Sequence, residues 1–175
     1  MPTLTATSGG TTSNSYVATV AEADSIVTTL GTLVGLGVDT SGWSGKTDAE
    51  KISALIMAAQ TIDQVPFHGY KSDDDQTMQF PRQGCRNPID EDEIPDAVKN
   101  AQCAEACSLF ASTVDPVARA IARGVTSESA GGVSFTVGGK KGNAASYGVT
   151  GPAFDILNRA GLVRSRAASV YNPRG

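Results

Sequence analysis

Between Asp48 and Phe110 two strong helix signals flank a connector whose residues suit neither a helix nor a long strand, and this stretch constrains the rest of the chain. Thr47-Asp48-Ala49-Glu50 is a capping box, a Thr followed three residues later by Glu. Behind it Ile52, Leu55, Ile56, Ala59 and Ile62 recur at helical spacing, which predicts an amphipathic helix stopped by Pro66. Ile94-Pro95-Asp96 opens the second helix with proline at the first turn. Val98, Ala101, Cys103, Ala104, Ala106, Cys107, Leu109 and Phe110 then cover most of its circumference, so it is expected to be buried on several sides. The connector runs from Ile62-Asp63-Gln64-Val65-Pro66-Phe67-His68-Gly69-Tyr70 through an acidic loop to Gln76-Thr77-Met78-Gln79-Phe80-Pro81-Arg82. It is expected to lie irregularly over the helices, anchored by Phe67, Tyr70, Phe80 and Pro81.

Residues 1–14 are small, polar and rich in Gly and Thr, and predict a flexible N-terminal arm. Thr19-Val20-Ala21-Glu22 starts another helix, with Ala23, Ile26, Val27 and Leu30 on one face and Gly31, Gly35 and Gly37 ending it. Pro116 to Ile121 predicts a short helical continuation before Gly124. The segments 124–128 and 133–137 flank Ser129 to Gly132, and Val133, Phe135 and Val137 alternate, a hairpin signal. After a polar loop from Gly138 to Thr150, Pro152 begins a last helix with Phe154, Leu157 and Ala160 on one face and Gly161 as its stop. The expected fold is mainly α: a small helical bundle of about four helices with a β-hairpin insertion (about 124–138). A single domain over 15–161 would carry extended arms at 1–14 and 162–175.

With aromatics at only 6% of 175 residues, the core must be built from closely packed Ala, Val, Ile and Leu. Charged residues are few, 18%, which suits a subunit that buries much surface against neighbours, and equally suits a loosely ordered monomer. The net charge of −4 argues against tight, nonspecific binding to a phosphate backbone, which needs clustered Lys and Arg. The charge is uneven, with acidic clusters at Asp73 to Asp75 and Asp90 to Glu93 and a tail carrying Arg159, Arg164, Arg166 and Arg174. These runs are either solvated faces or a means for identical subunits, or a partner ring, to attract one another.

No catalytic constellation stands out, and the chain is expected to be neither an enzyme nor a holder of metal or cofactor. Gly45-Lys46-Thr47 resembles the end of a phosphate-binding loop, but position 40 is Thr where that motif needs Gly, and no strand precedes it. His68 is the single histidine. Cys103 and Cys107 share a helix face, yet only Cys85 and His68 could complete a metal site, so they are expected to be buried and apolar. Trp43, Phe67, Tyr70 and Phe80 could stack on bases, but single-strand binding also needs a basic groove beside them. No apolar run approaches the ~20 residues that span a membrane, and the N-terminus has no basic start or apolar signal core, which predicts a soluble protein made in the cytoplasm.

Several features in a fixed order carry a family resemblance: Ser15-Tyr16-Val17, Ala21-Glu22-Ala23-Asp24, Asp48-Ala49-Glu50-Lys51, Ala54-Leu55, Ala58 and Ile62-Asp63. Phe67-x-Gly69, Gln76, Phe80-Pro81-Arg82, Ile94-Pro95 and Gly124-Val125-x-Ser127-Glu128 follow. In this order, over about residues 14–137, the chain resembles the head–tail adaptor (connector or head-completion) proteins of long-tailed bacteriophages. Some members of that family are called DnaT-like single-strand DNA-binding proteins. The resemblance implies a helical protein that forms a ring of twelve subunits beneath the portal. Its partners would be its own copies, the portal protein and the next neck or tail-completion protein. Double-stranded DNA would pass through the lumen unread. It also implies a place in the virion neck and a docking C-terminal segment, for which Arg164, Arg166, Tyr171 and Arg174 are the candidate anchors. A single-stranded DNA-binding module is the alternative.

Overall fold

The computed structural model describes residues 2–6, 12–33, 35–85, 90, 92–111, 127–130, 133–136 and 147–164. Among them are four helices: α1 (Val20–Thr32), α2 (Asp48–Ile62), α3 (Asp96–Ala111) and α4 (Gly151–Arg159). Two short antiparallel ladders accompany them, β1 (Tyr70–Lys71) with β2 (Arg82–Gln83), and β3 (Ser127–Ala130) with β4 (Val133–Thr136). The fold is a mainly helical small domain with a β-hairpin. The predicted helical continuation at 116–121 lies outside the described residues.

Local chemistry sets the helix starts. The Thr47 hydroxyl accepts from the Glu50 N–H while the Glu50 carboxylate accepts from the Thr47 N–H at 2.9 Å, a complete capping box. At α1 the Thr19 side chain accepts from the Glu22 N–H, and Glu22 reaches back to the N–H of Ala18 at 2.9 Å. Pro152 occupies the first turn of α4, where its missing N–H costs nothing.

Helix α3 is the centre of the bundle and touches each of the other three helices. From Ala101 to Cys107 every residue is buried, as the small-residue composition predicts. Contacts near the helix ends give the directions. Tyr16 meets Asp63 and Asp24 meets Lys51, so α1 and α2 are antiparallel. Gln102 meets Leu55, and Trp43, just before α2, packs on Phe110, so α2 and α3 are antiparallel too. Phe154 and Leu157 of α4 close the core, Ala160 stays half-buried, and Cys103 and Cys107 are buried within it.

The buried stripe of α2 departs from the periodicity. Lys51, Ala54, Leu55, Ala58, Ala59 and Ile62 face inward, whereas Ile52 and Ile56 are half-buried. Lys51 can turn inward because its ammonium meets Asp24 at 2.8 Å and lies 5.3 Å from the Trp43 ring centroid, so its charge is paired while its stem packs.

The connector is more regular than predicted. Tyr70 pairs with Gln83 and Lys71 with Arg82, and on its other flank Phe67 bridges Val163. The His68 N–H donates to the Leu162 carbonyl at 2.9 Å, and the Arg164 N–H to the Pro66 carbonyl at 2.8 Å. Leu162 is buried, so the first residues of the tail segment 162–175 belong to the packed fold. The turn into β1 requires Gly69, whose φ of +74° and close approach to the Gln83 carbonyl exclude a side chain. In the hairpin the register pairs Ser127 with Thr136 and Ala130 with Val133, so Ser129 and Ala130 are strand residues rather than turn. Residues 124–126 and 137, expected as its outer ends, fall outside the described set.

Candidate interaction surfaces

A cluster of polar contacts centred on one buried side chain holds the N-terminal segment. Gln102, buried in α3, accepts from the backbone N–H groups of Tyr16 (3.0 Å) and Val17 (3.1 Å) and donates to Ser15 Oγ and the Leu55 carbonyl, both at 2.8 Å. All four hydrogen-bonding positions of the amide are filled. The Tyr16 phenol donates to Asp63 Oδ1, and the Gln79 N–H lies 3.4 Å from the same oxygen. Burial, and the charge of Asp63, push the Tyr16 phenol well up, which keeps it a donor. Burial also raises Asp63, outweighing the hydrogen bonds from Tyr16 and Gln79 and the charges of Lys71 and Arg82. Of the arm 1–14, Thr5 pairs with Asn14, and Ser13 accepts from the Thr77 hydroxyl at 2.8 Å.

Arg82 is enclosed. Its guanidinium donates to the carbonyls of His68 (2.9 Å), Gly69 (2.7 Å) and Gln79 (3.3 Å) and to Gln79 Oε1 (2.6 Å). It lies 5.9 Å and 6.0 Å from the ring centroids of Phe67 and Phe80. Gln76 is buried beneath the same loop, donating to the carbonyls of Met78 (2.8 Å) and Pro81 (3.0 Å) and accepting from the Asp73 N–H. Both residues work as internal clasps that give the connector's buried carbonyls their donors.

Three of the four aromatics considered for base stacking are in the core. Phe80 packs edge-to-face on Phe67 at 4.8 Å and on Tyr16 at 6.1 Å, and Trp43 donates through Nε1 to Asp24 at 2.7 Å. Tyr70, expected as a connector anchor, is instead 63% exposed. Its place in the two-residue ladder turns it outward, while Phe67, three positions earlier, faces the core. Gly84 (φ +65°) leaves room for the Tyr70 ring, which a Cβ there would meet at 3.2 Å.

The acidic clusters are exposed loop residues: Asp73, Asp74 and Asp75 in the connector, and Asp90, Asp92 and Glu93 before α3. The second cluster borders two shallow clefts of about 230 and 220 Å³, the larger lined by Tyr16, Glu22 and Lys99 as well. Among the described residues no group of three or more His, Cys, Asp and Glu could hold a metal, and no helix is long and apolar enough to cross a membrane. Of the four docking candidates, Arg164 is exposed beside Pro66; Arg166, Tyr171 and Arg174 lie outside the described residues. Sequence reasoning missed Gln102 and Glu105, the latter buried in α3 and accepting from the Thr150 N–H at 2.8 Å. Their only signal was two long polar residues three apart within the otherwise small, apolar run from Ala101 to Cys107.

A family model described as "Putative DnaT-like ssDNA binding protein" matches residues 3–165. The chain belongs to this DnaT-like family. No curated protein and no solved structure matches it. Within this DnaT-like protein, Ser15-Tyr16-Val17, Ile62-Asp63, Phe67, Gln76 and Phe80-Pro81-Arg82 form the interior or its polar clasps, and Gly69 is an exposed turn glycine.

Proposed function

We propose that this protein is a structural component of a bacteriophage virion, a head–tail adaptor that assembles as a ring between the portal and the next neck protein. One observation supports the reading: among the described residues, those behind the adaptor resemblance cap helices, fill the core or clasp the connector, and present no reactive or base-reading group. Arg82 is closed over by three carbonyls, and Phe67, Phe80 and Trp43 are buried. A chain whose characteristic residues specify shape suits an assembly part. Its partners are then further copies of itself, the portal and the next neck or tail-completion protein, with double-stranded DNA crossing the ring unread.

The test is electron microscopy of the purified protein mixed with portal particles. Ring density on the portal, sharing its symmetry, is the expected result. A chain that stays off every portal tried would overturn the reading.

The family description favours a second reading, a single-strand DNA-binding module. Among the described residues Tyr70 is the exposed aromatic it would use, although Asp73 to Asp75 lie on the same loop. Fluorescence polarisation with labelled oligonucleotides at ~50 mM salt, where electrostatic affinity is strong, separates the two. Binding that disappears in Tyr70→Ala would support this second reading, and no binding would remove it.

A further inference from the structure

We draw no further inference here: the strongest candidate, the outward side of α2 where Ile52 and Ile56 are half-buried and Met57 is exposed, is an unpartnered apolar face, and nothing in the structure shows what covers it.

Discussion

The side-chain oxygen of Gln102 accepts from the backbone N–H of Tyr16 at 3.0 Å, across 86 positions of sequence. The same amide reaches Val17, Ser15 and Leu55, so one buried side chain joins the N-terminal segment to α2 and α3. Replacing it with Leu would leave the buried Tyr16 N–H unpaired, at a cost of ~1–3 kcal/mol, while the Val17 N–H keeps its second acceptor, Ser15 Oγ at 3.1 Å. Gln102→Leu should therefore lower stability by about 2 kcal/mol in urea denaturation followed by Trp43 fluorescence. A loss below about 1 kcal/mol would mean that apolar contacts alone hold the segment.

Gly69 and Gly45 make a matched pair of alanine substitutions. A Cβ on Gly69 would lie 2.0 Å from the Gln83 carbonyl at φ +74°, whereas one on Gly45 meets nothing within 4 Å. Gly69→Ala should cost more than ~2 kcal/mol, by adding backbone collision to left-handed strain. Gly45→Ala should change stability by less than ~0.5 kcal/mol. Equal melting temperatures for the two variants would contradict this placement of the β1 turn.

Asp63 supplies a pH signature. Its carboxyl is raised in the folded state by burial, so the native protein holds this proton more tightly than the unfolded chain does. Its contribution is fully present below the ordinary carboxylate value and is lost as pH rises through the raised one. Asp63→Asn cannot titrate there, so the stability difference between wild type and variant should move against the wild type as pH climbs out of the carboxylate range. Denaturation curves of both proteins across pH 3 to 7 measure it, and a difference independent of pH would show that Asp63 has its ordinary affinity for the proton.

The three thiols should separate by reactivity. Burial pushes Cys107 up to about 12 and Cys103 higher still, whereas Cys85 is half-buried and raised less. At pH 8 a thiol reagent should label Cys85 first. Cys103 and Cys107 should follow at least ~100-fold more slowly, at the rate of opening of the α3 core. Fast labelling of all three in native buffer would mean that α3 is not enclosed.

On the adaptor reading, deleting residues 165–175 should separate docking from folding. Leu162 and the Arg164–Pro66 hydrogen bond remain, so the melting temperature should be unchanged. Arg166, Tyr171 and Arg174 are removed, and binding to portal particles should be lost. Docking that survives the deletion would refute the role assigned to this segment.

The helices were legible because their signals are local. The N-cap at Thr19, the capping box at Thr47, proline at Pro95 and Pro152, and the small residues of α3 each act within one or two turns. Which way α2 faced was not legible. Its apolar period pointed to Ile52 and Ile56, and only the approach of Asp24 and Trp43 made an inward Lys51 favourable. The outward turn of Tyr70 was hidden for a similar reason, since a two-residue ladder has too little alternation to read. The enclosure of Arg82 was not legible either, because nothing near it in sequence shows that carbonyls from His68 and Gly69 converge on it.

The sequence by itself determined that this chain forms a mainly helical bundle around a buried, small-residue helix, because hydrophobic periodicity and end-capping are short-range properties. It also determined the match of residues 3–165 to the DnaT-like family. Only the tertiary structure decided that the long polar side chains Gln102, Gln76 and Arg82 are internal. A buried polar group is tolerated only where partners from distant segments meet its donors and acceptors, and that meeting exists only once the helices have packed.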